Sequence, residues 1–260
     1  MEFIKITYTV SKKIATITLN CPELHNALDT QSIAELSFAF TQIQKDQAIK
    51  VVVLRAEGES FCAGADTSYL EQIAKYDFNQ NLQDSSDLMR LLLQIYTLRK
   101  PVIASIQGPA LAVGCGLAVV CDFVIAAKET ATLGFPEVTI GFIPALFLIF
   151  LSRRIGEGRA RELVLRGTPI AAEEALSLGL ISQVAPLVEL DRATKQLAEQ
   201  LKTKNSASSM GLIKELFARV HGMSTNDALD YASNLNALAR MTDDCKKGIE
   251  AFLNNEIIKW

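Results

Sequence analysis

The apolar residues of this chain keep changing period up to Gly156 and hold a single period after it, which narrows the fold more than any one motif does. Phe3–Thr9 and Lys13–Leu19 alternate and are β-branched, as half-buried strands are, with Ser11-Lys12 near the turn between them. Asp29 can cap a helix over Ser32–Gln44, whose apolar residues recur at helical spacing. Lys50–Arg55 is a short, nearly unbroken apolar run, as a fully buried strand is, and Val102–Ile106 and Asp122–Ala127 also read as strands. Ser86–Leu98 is an amphipathic helix pattern. Strands separated by helices need right-handed crossovers, so a largely parallel sheet is expected. Beyond Gly156 no strand signal remains. Gly158–Arg166, Ala172–Leu178, Glu189–Lys202, Ser209–Val220, Asn226–Met241 and Asp243–Asn254 all read as helices. The chain therefore reads as an α/β core continuous with a helical C-terminal region, with no linker, repeat or low-complexity stretch between them.

Composition removes several function classes. A length of 260 residues supports a sizeable core, and 49% hydrophobic residues exclude a mainly disordered chain. Lys and Arg number 26 against 29 Asp and Glu, so no basic face is expected to displace counterions from a nucleic acid. The longest apolar stretches, Ala110–Cys121 and Phe142–Leu151, fall short of the roughly 18 residues of a membrane span, and no membrane partner is expected. The opening MEFIKITYTV lacks the basic-then-apolar pattern of a leader. Two His (His25, His221) and five Cys (Cys21, Cys62, Cys115, Cys121, Cys245) without CxxC spacing suggest neither a metal site nor a disulfide framework. A reducing, cytoplasmic location fits. GxxxxGK[ST], GxSxG, HExxH and GxGxxG are all absent.

Two strand-to-helix junctions are more informative. Ser60-Phe61-Cys62-Ala63-Gly64-Ala65-Asp66 follows the Lys50–Arg55 strand, and Gly108-Pro109-Ala110-Leu111-Ala112-Val113-Gly114-Cys115-Gly116 follows Val102–Ile106. Small residues let a ligand approach the backbone, and each junction opens a helix whose free N–H groups favour negative charge. Two such N–H groups converging on one point make an oxyanion hole. The alternative for either junction alone is that small residues simply let helix and sheet pack closely.

Several further segments occur in a fixed order with these: Asn26-Ala27-Leu28, Lys100-Pro101-Val102-Ile103-Ala104, Ala118-Val119-Val120-Cys121-Asp122, Phe135-Pro136-Glu137-Val138 and Ala175-Leu176-Ser177-Leu178-Gly179-Leu180-Ile181. Together they resemble the enoyl-CoA hydratase/isomerase (crotonase) superfamily along nearly the whole chain. Around Ile143-Pro144-Ala145 the pattern is most similar to a bacterial branch of enoyl-CoA and methylglutaconyl-CoA hydratases. The resemblance implies an α/β fold: a ββα spiral core of two stacked sheets over residues 1–200 that binds acyl-CoA, and a helical region over 201–260 that forms trimers or dimers of trimers. It implies an acyl-CoA thioester substrate of fatty acid metabolism and stabilisation of the enolate formed at its carbonyl. Coenzyme A enters as part of the substrate, with no separate cofactor and no metal.

Carried over by motif, Ala65 and Val113 supply the two oxyanion N–H groups, although most members have Gly at the second position. The resemblance has the Ala63 carbonyl meet the adenine, with Ala27, Leu28, Gly64 and Asp66 along the CoA path. Asp66 also reads as the cap of the following helix. Phe252 matches a position that reaches a neighbouring subunit's ligand, while Asn255 stands where many members carry a Lys. Glu137 matches one of the two carboxylates of family hydratases, and Gly116 stands where they carry the other. Water addition divides naturally between two carboxylates, whereas a double-bond shift needs one base that removes a proton and returns it to another carbon. The expectation is a hydratase/isomerase with Glu137 as acid/base. The alternatives are a methylglutaconyl-CoA hydratase-like enzyme and a non-catalytic acyl-CoA-binding homologue.

Overall fold

In the computed structural model, which describes residues 2–260, the β-branched opening folds as two antiparallel strands, β1 (Ile6–Ser11) and β2 (Ile14–Leu19). Lys12 and Lys13 both have positive φ (49° and 69°) and close a two-residue hairpin of the type that matches strand twist. The strand starts later than its sequence pattern for a specific reason. The buried Glu35 carboxylate accepts the N–H groups of Ile4, Lys5 and Ile6, which ties the lead-in to α1 (Thr30–Lys45). Asp29 caps that helix as expected, accepting the Ser32 N–H at 2.8 Å.

The chain continues through β3 (Val51–Ala56), α2 (Thr67–Ile73), α3 (Phe78–Thr97), β4 (Val102–Ile106), β5 (Ala110–Leu111), α4 (Val113–Val120), β6 (Phe123–Ala127) and β7 (Thr132–Gly134). Then come α5 (Ala145–Ile155), α6 (Glu157–Arg166), β8 (Ile170–Ala171), α7 (Ala172–Leu178), β9 (Gln183–Ala185) and four helices: α8 (Leu190–Lys204), α9 (Ala207–Val220), α10 (Thr225–Met241) and α11 (Asp243–Leu253). The larger sheet has the order β1-β2-β3-β4-β6-β9 and is parallel from β2 onward, and a smaller sheet has the order β5-β7-β8. The fold is thus the expected α/β core of two sheets with a helical C-terminal end.

Two readings need correction. The region after Gly156 does contain strands, β8 and β9; at two and three residues they are too short to show a period, and they exist because β7 and β6 offer free edges. Helix α3 starts at Phe78, eight residues before its apolar pattern, because a reciprocal capping box between Asp77 and Gln80 fixes its first turn. Phe78 and Leu82 in that turn are exposed, which hides the helical stripe.

Helices α1 and α3 pack on each other, α8 lies against β3, β4 and β6, and all eight residues of α4 are buried. Helix α9 is fastened to the core by a charge: Lys214 donates to Asp122 at 2.5 Å and to the Lys100 carbonyl at 3.1 Å, while Asp122 also accepts the Val102 N–H. Removing one partner of a fully buried pair costs about 3–5 kcal/mol. Here Asp122 keeps 26% side-chain exposure, so Lys214→Met should lower unfolding free energy by about 2 kcal/mol. Urea unfolding at fixed protein concentration checks this, and a loss under about 0.5 kcal/mol would make the pair incidental.

Candidate active site

The two small-residue junctions lie at the C-terminal ends of β3 and β4, and backbone hydrogen bonds join them. Cys62 donates its N–H to the Pro109 carbonyl (3.1 Å) and accepts the Leu111 N–H (2.9 Å). On one side Leu28 donates to the Gly64 carbonyl (2.8 Å), linking the first junction to the Cys21–Leu28 loop. On the other, β5 pairs in parallel with β7, and Ala112 donates to the Gly134 carbonyl (2.9 Å). Glu137 follows Gly134 by three residues. Four segments distant in sequence are therefore held in register by main-chain bonds.

This lattice leaves several junction donors unused, Ala65 and Val113 among them. Among the described residues, neither the Ala65 nor the Val113 N–H donates a hydrogen bond. Each follows a residue of unusual backbone: Gly64 has φ +114°, and Ala112 has φ 50° and ψ −118°. For alanine that conformation costs about 1–3 kcal/mol and persists only where the surroundings over-determine it. The two residues face each other, since a Cβ built on Gly64 would lie 3.3 Å from the Ala112 Cβ. Gly114 permits a close approach, because a side chain there would strike the Cys62 carbonyl at 2.3 Å. Val113 is the first residue of α4, so its N–H also carries the positive end of that helix.

Glu137 sits in a short 3-10 turn, Pro136–Ile140, and is buried. Its Oε2 has no hydrogen-bond partner among the described residues. Burial pushes the carboxyl above its ordinary value, and its own backbone N–H draws it part of the way back. Phe135 stacks on Phe147 of α5 with ring centroids 5.7 Å apart. That Phe147 ring fills the space above Gly116: a Cβ there would meet Cδ1 at 2.2 Å and Cε1 at 2.4 Å. Cys62 and Cys115, also buried here, are inert neutral thiols; desolvation raises Cys62 to about 12 and Cys115 further. Among the described residues no three His, Cys, Asp or Glu side chains cluster as metal ligands would, and no helix is long and apolar enough to cross a membrane.

Comparison with known proteins fixes the family. The family model for enoyl-CoA hydratase/isomerase matches residues 9–260. The chain belongs to the enoyl-CoA hydratase/isomerase family. A Thermus thermophilus protein provisionally named an enoyl-CoA hydratase is 40% identical over 239 residues, covering 92% of this chain and 94% of its own length. The short-chain-enoyl-CoA hydratase of Clostridium acetobutylicum is 31% identical, with 100% of this chain and 98% of that protein covered. The crystal structure of an enoyl-CoA hydratase/isomerase from Marinobacter aquaeolei superposes with a TM-score of 0.90 at 32% identity, covering 98% of each chain. The protein is accordingly an acyl-CoA enzyme of the lyase/isomerase class.

Of the residues that the family resemblance points to, Leu28, Ala63, Gly64, Ala65 and Asp66 meet along one edge, where Leu28 and Ala65 form a parallel bridge. Ala63 donates its N–H to the His25 carbonyl, and its own carbonyl accepts nothing from the described residues. Ala27 immediately precedes Leu28 in the same loop. The Asp66 carboxylate is occupied as the cap of α2, accepting from Ser68 and Tyr69, which leaves its backbone to line any ligand path. Phe252 projects from α11, 80% exposed, and touches none of this. Sequence reasoning passed over Asn26 as an organiser: buried, it accepts the Cys21 N–H and donates to the Glu57 and Ser60 carbonyls, each at 2.8 Å. Its place in the Asn26-Ala27-Leu28 motif was the available signal.

Gly116→Glu alone should therefore be destabilising, because the new side chain and Phe147 compete for one volume. Overpacking costs about 1–3 kcal/mol, and burying a carboxylate adds to it. Combined with Phe147→Ala, the loss should be smaller than the sum of the single losses by at least about 1 kcal/mol in a double-mutant cycle. Additive losses would mean that the two positions do not share space.

Proposed function

We propose that the enzyme moves a proton between two carbons of a CoA thioester, with the Ala65 and Val113 N–H groups stabilising the enolate and Glu137 carrying the proton. For a 3-enoyl thioester, the Glu137 carboxylate takes a proton from C2 and the C–H electron pair shifts into the thioester, placing negative charge on its oxygen. The neutral Glu137 then returns the proton to C4, the oxygen's charge collapses back, and the double bond stands between C2 and C3. Two unused N–H donors supply what a developing oxyanion needs. A desolvated carboxyl with a free oxygen can both accept and give back a proton near neutral pH. The observation that carries the reaction type is Phe147: where family hydratases would present another carboxylate, Gly116 offers neither a side chain nor room for one.

Water addition to a 2-enoyl thioester is the reading that the relatives' names favour, with 3-methylglutaconyl-CoA kept as a substrate by the sequence resemblance alone, and an acyl-CoA-binding protein without activity is the third. Turnover of 2-enoyl-, 3-enoyl- and 3-methylglutaconyl-CoA with product analysis separates them: a shifted double bond supports the proposal, a hydroxyacyl product replaces it with hydration, and binding without turnover leaves a non-catalytic binder. The chemistry needs no metal or redox cofactor on this reading, so EDTA should leave turnover unchanged. The five unpaired cysteines suit a reducing cytoplasm.

Glu137→Gln keeps the size and removes the base, so kcat should fall by about two to four orders of magnitude while acyl-CoA binding persists. In the wild type, kcat/KM should rise with pH to a plateau whose midpoint lies above the ordinary Glu value of about 4.3, since the ionised form is the base and burial disfavours it. The same shift means that ionised Glu137 costs stability. Glu137→Gln should be the more stable protein at pH 7, and the difference should close below pH about 4.3, where both side chains are neutral. Near wild-type turnover in this variant would remove Glu137 from the mechanism.

The assembly is proposed as a trimer or hexamer. Leu238 and Met241 of α10 and Phe252 and Leu253 of α11 are all more than half exposed, a run of apolar surface that a second copy would cover. Light scattering at micromolar concentration should give three or six subunits, and a monomer would refute it.

A further inference from the structure

The first turn of α4 holds one of the two proposed oxyanion donors, and its last turn holds a charge that the reaction as written does not use. Arg154 of α5 donates through Nη1 to the carbonyls of Val119 (3.1 Å) and Cys121 (2.6 Å). The two carbonyls before these are met locally: Ala118 accepts the Cys121 N–H and Leu117 the Cys121 thiol, both at 3.1 Å. Arg154 forms no ion pair among the described residues, and its Nε is buried without an acceptor. Asp122, the carboxylate whose field reaches it, is already held by Lys214 and the Val102 N–H. A guanidinium taken out of water and aimed at main-chain oxygens, with no carboxylate of its own, is an expensive way to stop a helix unless the charge serves something else.

We propose that Arg154 is a positioning residue for the oxyanion hole, acting through α4. It fixes the C-terminal carbonyls of the helix so that the Val113 N–H keeps one direction, and it adds a positive charge behind a helix of eight residues, about 12 Å long, whose other end faces the thioester oxygen. The helix is buried over its whole length, so water screens little of that field. Negative charge gathers on the thioester oxygen only as the enolate forms. The contribution therefore falls on the chemical step more than on binding of the ground state.

This inference rests on Val113 as an oxyanion donor, and the test is built to tell the two apart. Bound 2,4-hexadienoyl-CoA reports polarisation of its carbonyl as a red shift of its absorption band. Wild type should show the shift. Arg154→Gln, which loses the charge and the Nη1 donor, should roughly halve it and lower kcat about tenfold with KM within about twofold. Arg154→Lys, which keeps the charge but ends one bond short of the Nη1 position that meets both carbonyls, should lose about threefold in kcat, with KM likewise kept. If Arg154→Gln does not fold, as judged by circular dichroism, Arg154→Lys decides alone. Wild-type kcat and shift in either folded variant would overturn the role given to Arg154, as would a loss confined to KM or to melting temperature. No shift in wild type would instead overturn the oxyanion reading itself, and this inference with it.

Discussion

The site depends on two main-chain hydrogen bonds, those by which Cys62 donates to Pro109 and accepts from Leu111. They hold the loop leaving β3 against the loop leaving β4, and the Ala65 and Val113 N–H groups lie within a few residues of them. Unusual backbone at Gly64 and Ala112 is affordable because both sides of each loop are already committed: Leu28 to Gly64 on one edge and Ala112 to Gly134 on the other. With those neighbours spoken for, the Ala65 and Val113 N–H groups keep no acceptor among the described residues. A flexible loop could present the same groups, but it would have to reorganise as charge developed, and most of the benefit of fixed dipoles would be lost.

Electrostatics and packing then divide the work. On the proposed reading, donors at Ala65 and Val113 favour negative charge on the thioester oxygen, while burial disfavours the ionised form of Glu137 and makes it a stronger base. The stacked rings of Phe135 and Phe147 keep the neighbourhood apolar, which strengthens both effects. Phe147 also gives Gly116 its physical context: a ring from α5 fills the space that any side chain there would need, so this side of the neighbourhood is an apolar wall.

How much of this could be read from the sequence follows from what each feature depends on. The small-residue runs around Ala65 and Val113 were legible because close approach to a backbone excludes large side chains, and that exclusion is written in residue type. Asp29 as a cap and the buried β3 and β4 were legible for the same local reason. Ala112 was not, since nothing about an alanine announces a positive φ that only its neighbours enforce. Nor was the meeting of Gly116 with Phe147, or of Arg154 with the end of α4, because these join positions more than thirty residues apart through a helix whose placement is tertiary. Strands β8 and β9 were invisible because a two- or three-residue strand has no period of its own. The turn at Lys12-Lys13 was legible only to within a residue, because lysine rarely takes the conformation that glycine and asparagine adopt there.

The central claim is that two particular backbone N–H groups, and not the side chains that carry them, stabilise the reacting thioester. Replacing the amide of Val113, and separately that of Ala65, by an ester removes one hydrogen-bond donor and leaves every side chain in place. Each replacement should lower kcat by about 10²- to 10³-fold with acyl-CoA affinity largely kept, the loss seen when an oxyanion donor is deleted. Turnover that survives either ester nearly intact would contradict the account, whatever Glu137 is found to do.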